Sequence, residues 1–251
     1  MRSRTLLAAA VLGALLTGCG ADSRADGSEE GGTLTVFAAT SLTEAFTEIA
    51  SDLEADEPGT TVVLSFGASS ALAQQVLSGA PADVFAAASS ATMATVVAGG
   101  DAEQPQVFAR NTLQIAVPAG APDVVLADFA DPERTLALCA PEVPCGAAAT
   151  EVFAAAGITP RPDTLEQDVK AALSKVRLGE VDAALVYRTD VLAAGDEVRG
   201  IEVPEAAAAV NDYPVARLKQ SRNPDGAALF VERLLSEQGQ RVLADAGFDR
   251  P

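Results

Sequence analysis

Leu34-Thr35-Val36-Phe37-Ala38-Ala39-Thr40-Ser41-Leu42 and Val62-Val63-Leu64-Ser65-Phe66-Gly67-Ala68-Ser69-Ser70 share one plan. In each, an apolar run of strand-forming residues leads straight into a serine-bearing turn that opens a helix. Such a junction aims free backbone N–H groups, the positive end of a helix dipole and a hydroxyl at one point. Two of them side by side, at the carboxyl ends of parallel strands, make a pocket for a small anion.

Working outward, strand and helix signals alternate, as βαβ units and a mostly parallel sheet require. Leu42, Ala45, Phe46, Ile49, Ala50 and Leu53 fall at helical spacing behind the first junction. A helix over 72–77 follows the second and stops at Gly79. Residues 82–86 predict a third strand, and Ser89-Ser90 starts a helix that ends at Gly99-Gly100. A strand over 112–118 carries the chain out of a first lobe. A second α/β set follows: a strand over 135–139, helices over 146–156 and 166–176, a strand over 181–187 and an edge strand at 201–203. A return strand over 213–218 and two terminal helices close the chain, the first opened by Asn223-Pro224. The expected architecture is two α/β lobes, each a mostly parallel sheet flanked by helices, with a ligand cleft between them. The segments are 33–111 for lobe 1, 112–211 for lobe 2, and 212–251 returning to lobe 1.

The amino terminus reads as an export signal over 1–18. Arg2 and Arg4 precede an apolar run from Leu6 to Leu16, too short to span a bilayer. The run ends in Leu16-Thr17-Gly18-Cys19, which resembles a bacterial lipobox with Cys19 lipidated. Residues 19–32 are polar and read as a flexible tether. The protein is then expected on the extracytoplasmic face of the cell membrane, held by lipid alone. With 35 Asp and Glu against 17 Lys and Arg, the formal charge is −18. Nucleic acid and acidic membrane surfaces, which demand clustered Lys and Arg, are therefore poor partners. Cys139 and Cys145 lie six apart, and export permits a disulfide between them.

The chain has no histidine. That removes Ser–His–Asp and Cys–His catalysis and histidine-based metal sites, although Gly67-Ala68-Ser69-Ser70-Ala71 comes near a nucleophile elbow. A Ser–Lys hydrolase is the remaining enzyme alternative, but neither serine turn has a lysine close by in sequence. No phosphate loop or dinucleotide fingerprint is present. Ser41 also has a structural reading: Ser41-Leu42-Thr43-Glu44 fits a capping box, and Ser69 and Ser70 share the ambiguity. Tyr187, at the end of a second-lobe strand, is either a half-buried aromatic or a phenol donor facing the cleft. Arg188 reads as a surface charge.

Taken together, Val36–Leu42, Ser65–Ser70, Gly79-Ala80-Pro81-Ala82-Asp83-Val84-Phe85 and Ala184-Leu185-Val186-Tyr187 resemble the periplasmic molybdate-binding proteins of ABC importers. These belong to the type II periplasmic binding proteins, and the motifs span about residues 33–248. The resemblance implies an oxyanion held by Ser41 and Ser69, by backbone amides at Cys145 and Val169, and by the Tyr187 hydroxyl. A Cys139–Cys145 bridge would help fix the Cys145 amide. It further implies a monomer that hands molybdate or tungstate to a permease and its ATPase, with no cofactor and no catalysis. Molybdate carries no proton near neutral pH, which suits a shell of donors. Sulfate, another bare dianion, is the nearest rival; phosphate keeps a proton and calls for an acceptor. Charge-assisted hydrogen bonds of about 1.5–3 kcal/mol each, with helix termini adding about 0.3–1, suffice for roughly micromolar to nanomolar affinity.

Overall fold

The computed structural model describes residues 32–251. The signal segment, Cys19 and most of the tether lie outside the described residues. In chain order the elements are β1 (Thr33–Ala39), α1 (Thr43–Asp56), β2 (Thr61–Gly67), α2 (Ser69–Leu77), β3 (Val84–Ala86), α3 (Ser90–Gly99), β4 (Gln106–Asn111) and β5 (Leu113–Pro118). There follow β6 (Leu136–Cys139), α4 (Pro144–Ala156), β7 (Thr164–Glu166), α5 (Val169–Arg177), β8 (Ala183–Tyr187), α6 (Arg188–Ala194) and β9 (Val198–Glu202). The chain ends with β10 (Asn211–Arg217), α7 (Pro224–Leu235) and α8 (Glu237–Asp245).

Two five-stranded sheets result, ordered β2-β1-β3-β10-β4 and β7-β6-β8-β5-β9. In the first, only β10 runs against its neighbours, and in the second only β5 does. The chain passes from the first sheet to the second through Thr112 and comes back between β9 and β10.

Strand periodicity explains the packing. Leu34, Val36 and Ala38 of β1 face one core with α1, α7 and α8, where Phe46 meets Phe108 and Phe230. Phe37 and Phe85 point the other way, onto Leu72, Val76, Met93 and Val96 of α2 and α3. A sheet covered on both faces needs continuous apolar strands, and these are its source. The second lobe packs around Phe129, Phe153, Leu173 and Val186 in the same manner.

The structure corrects several expectations. Strands β4 and β7 are additional. The helix expected from 166 begins at Val169, because Glu166 still pairs with Cys139 and Asp168 caps the helix by accepting from the Ala171 N–H at 2.9 Å. Arg188 is not a solitary surface charge. It opens α6, and its guanidinium donates to the Gly247 carbonyl at 2.9 Å and pairs with Asp249 at 2.9 Å, tying the second lobe to the carboxyl terminus.

Candidate functional site

Five chain reversals bring the site together. The 3-10 turn Thr40–Leu42 before α1 and the starts of α2, α4 and α5 each present a helix amino end, and Tyr187 immediately precedes α6. Ser41, Ser69, Cys145, Val169 and Tyr187 all line one cavity between the two sheets, together with Gly67, Ala88, Pro144 and Asp168. The cavity is tight: about 10 Å³, on a measure by which one water takes about 10–15 Å³.

Neither serine is a helix cap. Ser41 lies inside the 3-10 turn, and its Oγ is 2.9 Å from the Tyr213 hydroxyl. Glu44, expected to complete a capping box, instead receives the Lys170 ammonium at 2.8 Å, a bridge from α1 in one lobe to α5 in the other. Ser69 is the first residue of α2, and its Oγ accepts from the Ala88 N–H at 3.0 Å. Both hydroxyls are buried, and Ser69, which accepts from Ala88, keeps its proton to give.

From the second lobe, Cys145 and Val169 occupy the first turns of α4 and α5, where the helix leaves N–H groups unpaired. A disulfide joins Cys145 to Cys139 at the end of β6. Gly146 is equally constrained: a Cβ there would stand 1.9 Å from the Ala140 carbonyl oxygen. Tyr187 is 1% exposed, yet its hydroxyl has no hydrogen-bond partner among the described residues. Burial pushes that phenol well above its ordinary pKa, and the neighbouring Tyr213 and Asp190 add to the effect. It remains a donor. One carboxylate, Asp168, stands in the wall, but its Oδ1 is committed to the cap of α5. The cavity is therefore rich in N–H and O–H donors and has no lysine or arginine in its lining. Among the described residues no cluster of His, Cys, Asp or Glu is arranged to hold a metal ion.

A family profile described as bacterial extracellular solute-binding protein matches residues 34–249. The chain belongs to this family. The solute-binding protein is 41% identical over 254 residues to the molybdate-binding protein ModA of Mycobacterium tuberculosis, covering 98% of this chain and 97% of that one. The solved molybdate-binding protein of Azotobacter vinelandii superposes with a TM-score of 0.76 at 22% identity, over 87% of this chain and 99% of that one. The sulfate-binding protein SubI of M. tuberculosis also gives 0.76, at 18% identity, over 87% and 86%. At those identities the two structures establish the two-lobe fold alone. As a member of a family of extracellular binding proteins, the chain is a transport component and not an enzyme. No helix among the described residues is long and apolar enough to cross a membrane.

Sequence reasoning passed over three residues behind the cavity. Tyr213 was set aside as part of the return strand, but its ring packs edge-on against Tyr187, Phe108 and Phe248. Asn111 joins it from the end of β4. Asp190 is completely buried in α6, its carboxylate 3.4 Å from Lys170. Only a buried, partly polar helix start after Tyr187 could have marked it, and α6 itself was not anticipated.

Burial raises the Asp190 pKa to about 6, although Lys170 pulls it down, while Glu44 pushes in the same direction as burial. The two buried tyrosines are the other titratable groups coupled to it. A raised carboxylate pKa means that the folded state binds the proton more tightly than the unfolded chain. Stability should therefore rise as the pH falls through about 6 toward the ordinary value of 3.8. Asp190→Asn is expected to melt higher than wild type at pH 7.5 and to lack this acid-side gain. Parallel melting curves of the two proteins between pH 7.5 and 5 would reject the idea.

Proposed function

We propose that the protein captures molybdate, and tungstate with it, in the cavity between its lobes and delivers the anion to the permease and ATPase of an ABC importer. A lipid on Cys19 would keep it at the outer face of the membrane. One observation carries the reading: the buried, partnerless Tyr187 hydroxyl lines a cavity onto which four helix amino ends open. An unpaired buried hydroxyl costs free energy that a ligand oxygen would recover. The molybdate-binding relatives supply the ligand class.

Selection follows from the donors. A tetrahedral dianion without protons can accept from every direction, and each oriented amide or hydroxyl replaces part of its water shell. Hydrogen phosphate would turn a proton toward a lining made mostly of donors. A strongly acidic chain attracts the anion because the local field comes from helix dipoles and not from net charge.

Ser41→Ala and Ser69→Ala are each expected to weaken molybdate binding by about ten- to a hundredfold, the loss of one hydrogen bond to a charged acceptor. Melting temperatures should stay within a few degrees of wild type. Calorimetric titration with molybdate, tungstate and sulfate is the test. Tight sulfate binding without molybdate binding would reassign the ligand, and unchanged affinity in both serine variants would remove the site.

A further inference from the structure

We infer that Tyr213 and Asn111 fix the proton direction of the Ser41 hydroxyl and so make the cavity selective for fully deprotonated oxyanions. This rests on the cavity being an oxyanion site; it adds the device that discriminates among oxyanions.

The direction follows from one chain of hydrogen bonds. Asn111 is fully buried where β4 hands over to β5. Its Oδ1 accepts from the Thr112 N–H at 3.0 Å. The amide nitrogen must then face the other way, toward Thr189 Oγ1 at 2.9 Å and the Tyr213 hydroxyl at 3.4 Å. An amide nitrogen donates and never accepts. The Tyr213 oxygen is therefore an acceptor for Asn111, and its own proton has Ser41 Oγ, 2.9 Å away, as its partner. The reverse arrangement, with Ser41 donating, would leave the phenol proton only the neighbouring Tyr187 oxygen, which makes no hydrogen bond of normal geometry among the described residues. Burial raises the Tyr213 pKa, which keeps that proton in place.

With one of its two lone pairs taken by Tyr213, Ser41 has its proton free for the cavity it lines; had it donated to Tyr213, only lone pairs would face that cavity. A free serine hydroxyl both gives and takes. It could rotate to accept the proton of hydrogen phosphate as readily as it donates to molybdate. Tyr213 tilts that balance toward donation, and the aligned donors reinforce one another along the chain. The shape of β10 serves the same end. Its register shifts between Tyr213 and Pro214, a bulge that turns the Tyr213 ring to pack against Tyr187 beside the cavity. Tyr213 is thus a positioning residue that acts through Ser41 and has no need to touch the ligand.

The test is a double-mutant cycle on the purified full chain, titrated separately with sodium molybdate and inorganic phosphate at pH 8. Tyr213→Phe keeps the ring and removes only the hydroxyl. It is expected to weaken molybdate binding about three- to tenfold and to shrink the molybdate-to-phosphate ratio by a similar factor. The ratio compares two ligands on one protein, so a change in folded fraction cancels from it. In a Ser41→Ala background the same substitution should change neither value. Losses that multiply in the double variant, or a ratio unmoved by Tyr213→Phe, would overturn the inference while leaving the oxyanion site standing. Unchanged molybdate binding in Ser41→Ala would overturn both.

Discussion

Replacing Gly146 with alanine is expected to lower the melting temperature by about 6–12 °C and to weaken molybdate binding at least tenfold. The added Cβ would meet the Ala140 carbonyl oxygen at 1.9 Å, the Ala140 carbonyl carbon at 2.5 Å and the Cys139 oxygen at 2.7 Å. All three are backbone atoms, and none can swing away as a side-chain tip would. The loop is also held at each end. Ala140 donates to Glu166 at 2.8 Å, Val143 to Ala140 at 3.1 Å, and the disulfide ties Cys139 to Cys145. Relief therefore requires α4 to back away from β6, at a cost of about 3 kcal/mol, or about 2–4 °C per kcal/mol in a chain of this size. The same retreat carries the Cys145 amide away from the cavity it lines, so on the proposed function stability and affinity should fall together. A variant that melts and binds like wild type would mean that the loop is softer than its contacts indicate.

Asp83→Asn is expected to produce the opposite pattern: a loss of about 3–4 kcal/mol in stability, with ligand affinity unchanged in whatever protein remains folded. Asp83 is buried just before β3. Its Oδ2 accepts from the Thr35 N–H at 2.7 Å, and its Oδ1 accepts from Ser221 Oγ at 2.7 Å and the N–H groups of Arg222 and Asn223 at 2.8 and 3.1 Å. One carboxylate thus ties β1 to the connection between β10 and α7. An asparagine would turn an NH2 group onto donors it cannot accept from. Burial alone would raise this pKa, but the bonds from Thr35, Ser221, Asn223 and Arg222 outweigh it and hold the group below its ordinary 3.8. The stabilisation is complete above the unfolded value near 3.8 and disappears as the pH falls through the folded one. Denaturant titrations of both proteins at pH 7 and pH 3 should show their gap narrowing in acid. A constant gap would assign the loss to packing.

Much of the architecture could be read because its causes are local. The apolar runs at β1, β2 and β8 are continuous because helices cover both faces of their sheets. Gly99-Gly100 stops α3 where Gly100 takes φ +86°, and Asn223 caps α7 by accepting from the Gly226 N–H at 2.9 Å, as the Asn-Pro pair signalled. What escaped depends on distant partners. β7 is three residues long and exists because β6 offers a free edge. β4 alternates weakly and is defined by β10, which lies about a hundred residues further on. The five expected positions do line one cavity, since strand-to-helix junctions fix where a helix begins. The environment behind them was hidden. Ser41 fitted a local capping pattern, and only the folded chain reveals Tyr213, 172 residues away, as its partner.

Two of the five ligand contacts proposed here, at Cys145 and Val169, come from the peptide itself, which no codon change except one to proline can delete. The side chains there face the core and, at Cys145, the disulfide, so they hold the amides in place without touching the anion, and residue identity is a poor guide to specificity at these positions. Anyone wishing to retune the protein for a larger or smaller metal oxide would have to redraw the loops that lead into α4 and α5, because the grip there is a matter of curvature and not of vocabulary.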